Sequence, residues 1–296
     1  MTLLTNERPY RGRFAPSPSG FLHFGSLIAA LASYLDAKAN NGKWLIRIED
    51  IDPPREMAGA SSEILKTLES YGLFWDENVL YQSSRSASYN ELLASLIEQH
   101  KAYYCRCTRA QIKARGGIYD GHCKHLDMPR SESAIRLINE AQIDHFDDRI
   151  QGQVQCNAAL AAEDFTIHRK DGLFAYQLAV VADDIHQNIT HVVRGCDLLE
   201  PTCRQMSFYQ QLSQPFVSYA HVPLAVTDEG YKLSKQNKAP AIDNLTPQPS
   251  IIAALSFLGQ QPPRELADAS VEELIAWAIN HWDINLVPKT SEIALT

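Results

Sequence analysis

The 296-residue chain is 45% hydrophobic and 21% charged, a balance that leaves ample apolar material for a core and allows for about two domains. Its net charge of −8 speaks against a protein that coats nucleic acid through a generally basic surface, since such binding is driven by phosphate neutralisation. No apolar run is long enough to span a bilayer and the first residues hold no apolar signal core, so a cytoplasmic protein is expected, with its six cysteines reduced.

From the N-terminus, Tyr10 to Phe14 reads as a short strand, followed by a loop stiffened by Pro16 and Pro18 and a helix opening at Gly25 or Ser26. A helix start attracts anions through its unpaired N–H groups and dipole, so His23 and Gly25 at this bend suit a phosphate. Leu27, Ile28, Leu31, Ala32 and Leu35 keep helical spacing through Ser26 to Asn41, and Gly42 closes the helix. Trp44 to Ile48 then reads as a buried strand. Strand, helix and strand make a βαβ unit, which implies a parallel sheet with ligands at the carboxyl ends of its strands. There the second strand delivers Arg47, Glu49, Asp50 and Asp52, and alternation places Arg47 and Glu49 on one face with Asp50 on the other.

Ser61 to Tyr71 and Ser86 to His100 are amphipathic helices that pack without chemistry of their own. Cys105 to Lys124 gathers Arg106, Arg109, Lys113, Arg115 and Lys124 against Asp120 alone, a local basic patch that an RNA would need. Within it Cys105, Cys107 and Cys123 resemble a zinc knuckle one ligand short. Tyr119, His122 and His125 lie near enough to supply the fourth, and the histidines are the easier ligands on chemistry alone. Ala134 to Ile138 and Phe146 to Ile150 read as strands of an insertion. Phe165 to His168 and Phe174 flank a turn at Lys170 to Gly172, and a helix runs on through Asp183. Thr190 to Arg194 is a core strand that delivers Arg194 to its carboxyl end. Glu200 to Leu212 is a helix, His221 to Val226 a strand, and Thr227 to Gln236 a loop. Pro247 to Leu258 and Val271 to Ile279 are short helices.

Four segments stand out together: Arg13 to Gly20 (RFAPSPSG), Arg47 to Asp50 (RIED), Thr190 to Gly195 (THVVRG) and Lys232 to Lys235 (KLSK). In this order and spacing the chain resembles the glutamyl branch of class I aminoacyl-tRNA synthetases. The resemblance implies an α/β fold: a Rossmann-type class I synthetase catalytic domain with a parallel sheet, a zinc-containing insertion and a short helical C-terminal region. Residues 1–104 and 165–240 would be the two halves of that domain, 105–164 the insertion and 241–296 the helical end. With no room for an anticodon-binding domain, the chain is similar to the shortened paralogues that load glutamate onto the queuosine base of tRNA(Asp).

What the resemblance carries over is specific. Arg13, Ala15, Ser17, Glu49, Tyr176 and Arg194 would surround L-glutamate, with Glu49 accepting from its ammonium group and Arg194 requiring a negative side chain. His23, Gly25, Ser26, Lys232 and Lys235 would hold ATP with its Mg²⁺, His23 and Lys235 acting on the reacting phosphate. Cys105, Cys107, Tyr119 and Cys123 would bind one structural zinc ion, Tyr119 replacing the histidine that chemistry favours. Ser26 stands where the signature often has a second histidine, and Gln236 where the lysine loop often ends in serine. The expected partners are ATP, glutamate and tRNA(Asp) carrying queuosine, with the protein a monomer. A short synthetase that acylates a tRNA 3′ end and a silent RNA-binding relic are the alternatives.

Overall fold

A computed structural model describes residues 8–227 and 240–295. Its first unit is β1 (Arg11–Phe14), α1 (Phe24–Ala39) and β2 (Lys43–Ile48), with β1 and β2 paired in parallel, as the alternation of apolar runs and helical spacing requires. Then follow α2 (Ala60–Ser70), the two-residue β3 (Leu80–Tyr81) and α3 (Ser86–Glu98). A small antiparallel sheet is built from β4 (Ala102–Cys105), β5 (Ala134–Leu137) and a later strand, with the one-and-a-half-turn α4 (Arg109–Ala114) in the excursion between the first two.

The chain returns through β6 (His145–Asp148), β7 (Gly152–Gln155), α5 (Ala158–Ala162) and β8 (Thr166–His168), the third strand of the small sheet. Next come α6 (Tyr176–His186), β9 (His191–Gly195), α7 (Thr202–Gln211), β10 (Ser218–Val222) and β11 (Leu224–Val226). Pro223, lacking an N–H, divides the run expected as one strand into the last two. The described C-terminal part holds α8 (Gln248–Phe257), α9 (Val271–His281) and β12 (Glu292–Ala294), so it is helical but also returns a strand to β11.

The strands run β3-β2-β1 and β9-β10-β6-β7, and the two groups meet where the Thr190 amide donates to the Arg11 carbonyl (2.9 Å). Strand order thus reverses between β1 and β9, the place where open α/β sheets bind ligands. One core, with Phe14, Trp44, Ile46, Val193 and Ala220, lies under α1, α2, α8 and α9; another, with Leu45, Val192 and Tyr219, lies under α3, α6 and α7.

Two expectations are corrected. The strand expected at Phe146 to Ile150 is not part of the insertion: β6 pairs in parallel with β10 through Asp148 and Tyr219, extending the main sheet. The cysteines are not all reduced, because Cys156 and Cys203, 47 positions apart, are joined as a disulfide. Spacing gave no hint of that pair, since α7 alone brings Cys203 to the end of β7. No helix among the described residues is long and apolar enough to cross a membrane.

Candidate active site

Period-two alternation decides which side chains reach the site. Phe14, Ile46, Val193 and Ala220 enter the core under α1, so Arg13, Arg47, Arg194 and His221 project from the opposite face, toward α6 and α7.

There the first two arginines meet one carboxylate. Asp184 of α6 accepts from Arg13 Nε (3.1 Å) and from Arg47 Nη1 (2.7 Å). Burial by itself would raise Asp184, yet the two guanidinium groups hold it below the ordinary carboxylate range. Arg47 Nη2 lies 3.7 Å from Glu49 Oε1, close enough for an ion pair and too far for a hydrogen bond. Both of those atoms, and Arg47 Nε, are buried without a hydrogen-bond partner. Burial pushes the Glu49 carboxyl up to about 7, Arg47 and Arg13 offsetting only part of the effect. Three unpaired polar atoms gathered in one ionic cluster are groups that a charged ligand would satisfy. As alternation requires, Asp50 points elsewhere and accepts from the amide (2.9 Å) and hydroxyl (2.6 Å) of Ser83.

Arg194 is held differently. Its Nε donates to His221 Nε2 (3.0 Å), and its Nη2 donates to Thr202 Oγ1 and Gln205 Oε1 (2.8 Å each). Nη1 faces the Tyr176 hydroxyl at 3.5 Å. All of these acceptors are neutral, and among the described residues Arg194 forms no ion pair.

Arg13, Ala15, Ser17, Glu49, Tyr176 and Arg194, the six residues expected around glutamate, line a single cleft of about 460 Å³. A second cleft of about 770 Å³ shares Ser17, Glu49, Arg55 and Tyr176 with it and extends to Arg109, Arg136 and Arg169 beside the small sheet. The basic patch itself is dispersed: Lys124 pairs with Asp164 (3.4 Å), Arg115 with Asp120 (3.8 Å), and Arg106 donates to the Ser131 carbonyl.

At the start of α1, His23 is the N-cap, and its Nδ1 accepts from the Ser26 amide (3.2 Å). The ring therefore takes one N–H that was expected for phosphate, and in its neutral form carries its own proton on Nε2. Gly25 is the second residue of the helix. Lys232, Lys235 and Gln236 lie outside the described residues. The chain re-enters at Pro240 against the histidine bend: Ala241 bridges His23, and the Ile242 amide donates to the Leu22 carbonyl (3.0 Å).

The Sγ atoms of Cys105, Cys107 and Cys123 lie within 4.8 Å of one another, with Cys107 and Cys123 3.6 Å apart. Tyr119 Oη stands 3.6 Å from Cys105 Sγ and accepts from the Cys123 amide (2.8 Å). Thiolates bound to one tetrahedral zinc stand about 3.8 Å apart, so this donor set fits the ion. His122 and His125 are exposed and outside the group.

Asp184 and His221 were not among the site residues expected from the sequence. A signal for Asp184 was available: Asp183-Asp184 near the end of an apolar helix opposes the helix dipole, which calls for buried cations. Both are in fact buried, Asp183 accepting from Gln82 (2.9 Å) and Arg85 (3.2 Å). For His221 the signal was weaker, a single histidine in an apolar strand.

The parallel sheet reverses between β1 and β9 with an ionic cleft at the reversal and a histidine-capped helix beside it, and comparison with known families gives its class, a class I aminoacyl-tRNA synthetase catalytic domain. Residues 10–249 match the family model for tRNA synthetases class I (E and Q), catalytic domain. The glutamyl-Q tRNA(Asp) synthetase of Colwellia psychrerythraea is 63% identical over 96% of this chain and 94% of its own length. That of Escherichia coli K12 is 53% identical over 98% and 94%. The chain belongs to the glutamyl-Q tRNA(Asp) synthetase branch of the class I (E and Q) family, and is a ligase of the aminoacyl-tRNA synthetase type. Among solved structures, the glutamate-tRNA synthetase of Elizabethkingia anophelis superposes with a TM-score of 0.78 at 27% identity, covering 96% of this chain and 67% of that one. A glutamate tRNA ligase from Elizabethkingia meningosepticum in complex with its amino acid gives 0.77 at 27% identity, over 96% and 66%.

Proposed function

We propose that the chain activates L-glutamate with ATP and transfers it to the queuosine base in the anticodon loop of tRNA(Asp). The observation that carries the first half is the pairing, in one cleft, of a buried carboxylate with open valences, Glu49, and a cation with no carboxylate partner among the described residues, Arg194. An amino acid with an acidic side chain satisfies both ends: its ammonium group meets Glu49, and its side-chain carboxylate meets Nη1 of Arg194, since Nε and Nη2 are already engaged with His221, Thr202 and Gln205. Arg13, Ala15 and Ser17 line the space between. The glutamate α-carboxylate attacks the α-phosphorus of ATP, the bond to the β-phosphate breaks and pyrophosphate leaves. Charge grows on the phosphate oxygens in that step, where the α1 helix start, His23 Nε2–H and the cations of the Lys232 to Lys235 loop would stabilise it with the Mg²⁺ that accompanies ATP. A hydroxyl of the queuosine cyclopentene ring then attacks the adenylate carbonyl, and AMP leaves.

The acceptor half is supported by the near full-length likeness to enzymes named for tRNA(Asp). Two measurements test the whole. Pyrophosphate exchange with ATP and glutamate, run without RNA, is expected to proceed; exchange only with another acid, or none, would end the glutamate reading. Labelled glutamate is expected to load tRNA from queuosine-replete cells, not from queuosine-deficient ones, and to survive removal of the 3′-terminal ribose. Label lost with that ribose would instead identify a 3′-end acylating enzyme.

Cys105, Cys107, Cys123 and Tyr119 would hold one zinc ion as a clasp between β4 and the loop after α4. Gently purified protein should carry about one zinc per chain. Chelation should loosen that loop, read by proteolysis near Gly116, before it affects pyrophosphate exchange.

A further inference from the structure

Arg194 carries the selectivity in the proposed function, and its direction is set by groups that do not touch the substrate. His221, fully buried on the neighbouring β10, lies between Arg194 and Asp148 of β6. Asp148 Oδ1 accepts the amides of Ile150 (3.0 Å), Gln151 (2.9 Å) and His221 (3.1 Å), while Oδ2 lies 2.6 Å from His221 Nδ1. A carboxylate serving four donors stays ionised, and the His221 bond and these amides keep it low despite burial. The proton between Oδ2 and Nδ1 therefore belongs to the ring, and Nε2 is left as an acceptor. Guanidinium has donors only, so the Arg194 Nε–H bond to Nε2 exists in this tautomer and in no other.

We infer that His221, oriented by Asp148, is a positioning residue for Arg194: a neutral imidazole fixes the guanidinium in direction while leaving its positive charge for the side-chain carboxylate of the amino acid. This rests on the reading of Arg194 as the glutamate contact. A carboxylate in place of His221 would hold Arg194 as firmly and cancel the charge, as Asp184 does for Arg13 and Arg47. Thr202 and Gln205 share the neutral character of the support. The charged groups around the ring are Asp148, Arg194 and Asp197, and burial, the largest influence on it, favours the uncharged form.

Asp148→Asn is the direct test. Its amide oxygen can replace Oδ1 toward the backbone, but its NH₂ then donates to Nδ1, driving the ring proton to Nε2 and against the Arg194 N–H. In pyrophosphate exchange the KM for glutamate is expected to rise roughly ten- to hundredfold, the scale of losing a hydrogen bond to a charged group, with the KM for ATP little changed. Preference for glutamate over glutamine should fall with it. His221→Gln, whose amide oxygen can stand near the Nε2 position, should keep more of that preference than His221→Leu. A readout free of folding defects is the ¹⁵N spectrum of histidine-labelled unaltered protein at neutral pH, with His221 assigned by its loss in His221→Gln. The expected form is neutral with the proton on Nδ1. A wild-type glutamate KM and preference in folded Asp148→Asn, or an Nε2-protonated His221 in the unaltered protein, would overturn the inference while glutamate exchange itself stands. Absence of glutamate exchange in the unaltered protein would instead bring down the functional reading beneath it.

Discussion

The two ends of the central sheet use the same residue types to opposite effect. Around the amino ends of β1 and β9, Asp36 of α1 accepts from Tyr10, from Arg149 (Nη2 at 3.1 Å) and from Trp282 Nε1 (3.1 Å), while Tyr10 stacks on His191 at 4.0 Å. Each polar side-chain atom of that aspartate is occupied, and α1, the turn after β6 and the segment after α9 are tied together through it. At the carboxyl ends Asp184 plays the matching part for Arg13 and Arg47, yet Arg47 and Glu49 keep unpaired atoms and Arg194 keeps its charge. A closed ionic cluster holds a fold; an open one stores free energy that a ligand releases.

Four substitutions probe that contrast, from the largest effect down. Arg194→Ala should lower kcat/KM for glutamate in pyrophosphate exchange by roughly a thousandfold or more, the scale expected when a substrate's buried polar group loses its partner, and should lower the melting temperature as well, because buried His221, Thr202 and Gln205 lose their shared donor. A small kinetic effect would mean the open end is not where selectivity lies. Asp184→Ala should cost about 3–5 kcal/mol of stability in denaturant titration, because it leaves two buried guanidinium groups short of their shared anion, and should depress exchange as well. Asp36→Ala should cost about 1–3 kcal/mol, less because Arg149 is partly exposed, and should leave the KM for glutamate unchanged. Equal kinetic damage from Asp36→Ala and Asp184→Ala would erase the distinction between the ends.

Glu49→Gln is the subtlest. With its carboxyl raised to about 7 in the folded protein against an ordinary value near 4.5, ionising Glu49 costs stability progressively as pH climbs between those values. The variant should therefore gain stability relative to the parent at pH 8 and none at pH 4, read from paired melting curves. Glutamate affinity should be poor at every pH in the variant, whereas in the parent it should weaken as pH falls below 7 and Glu49 takes up a proton. A parent KM flat from pH 6 to 8 would remove Glu49 from the ammonium contact.

Much of the fold was legible because its signals are local. The apolar spacing of Leu27 to Leu35 and the β-branched run at His191 to Val193 gave the elements, and period-two alternation alone was enough to place Arg47 and Glu49 together. The cleft residues were legible through resemblance of their motifs, Arg13, Tyr176 and Arg194 being separated by long stretches of chain and gathered only where β1 meets β9. What was missed lies in short elements and in pairing: β4, α4, β7, α5 and β12 are too brief to show a period, β6 was given to the insertion because a short strand carries no mark of which sheet it will join, and Cys203 finds Cys156 only through the docking of α7.

By itself, then, the sequence determined the main strands and helices around the cleft, which of their side chains share a face, and through its motifs the family to which the chain belongs. Tertiary structure alone decided that Asp184 neutralises Arg13 and Arg47 while Arg194 rests on an uncharged imidazole. The reason is physical: hydrophobic periodicity is written along the backbone, but the charge state and direction of a buried group depend on what closes over it from distant elements. That is fixed only when the sheet order is complete.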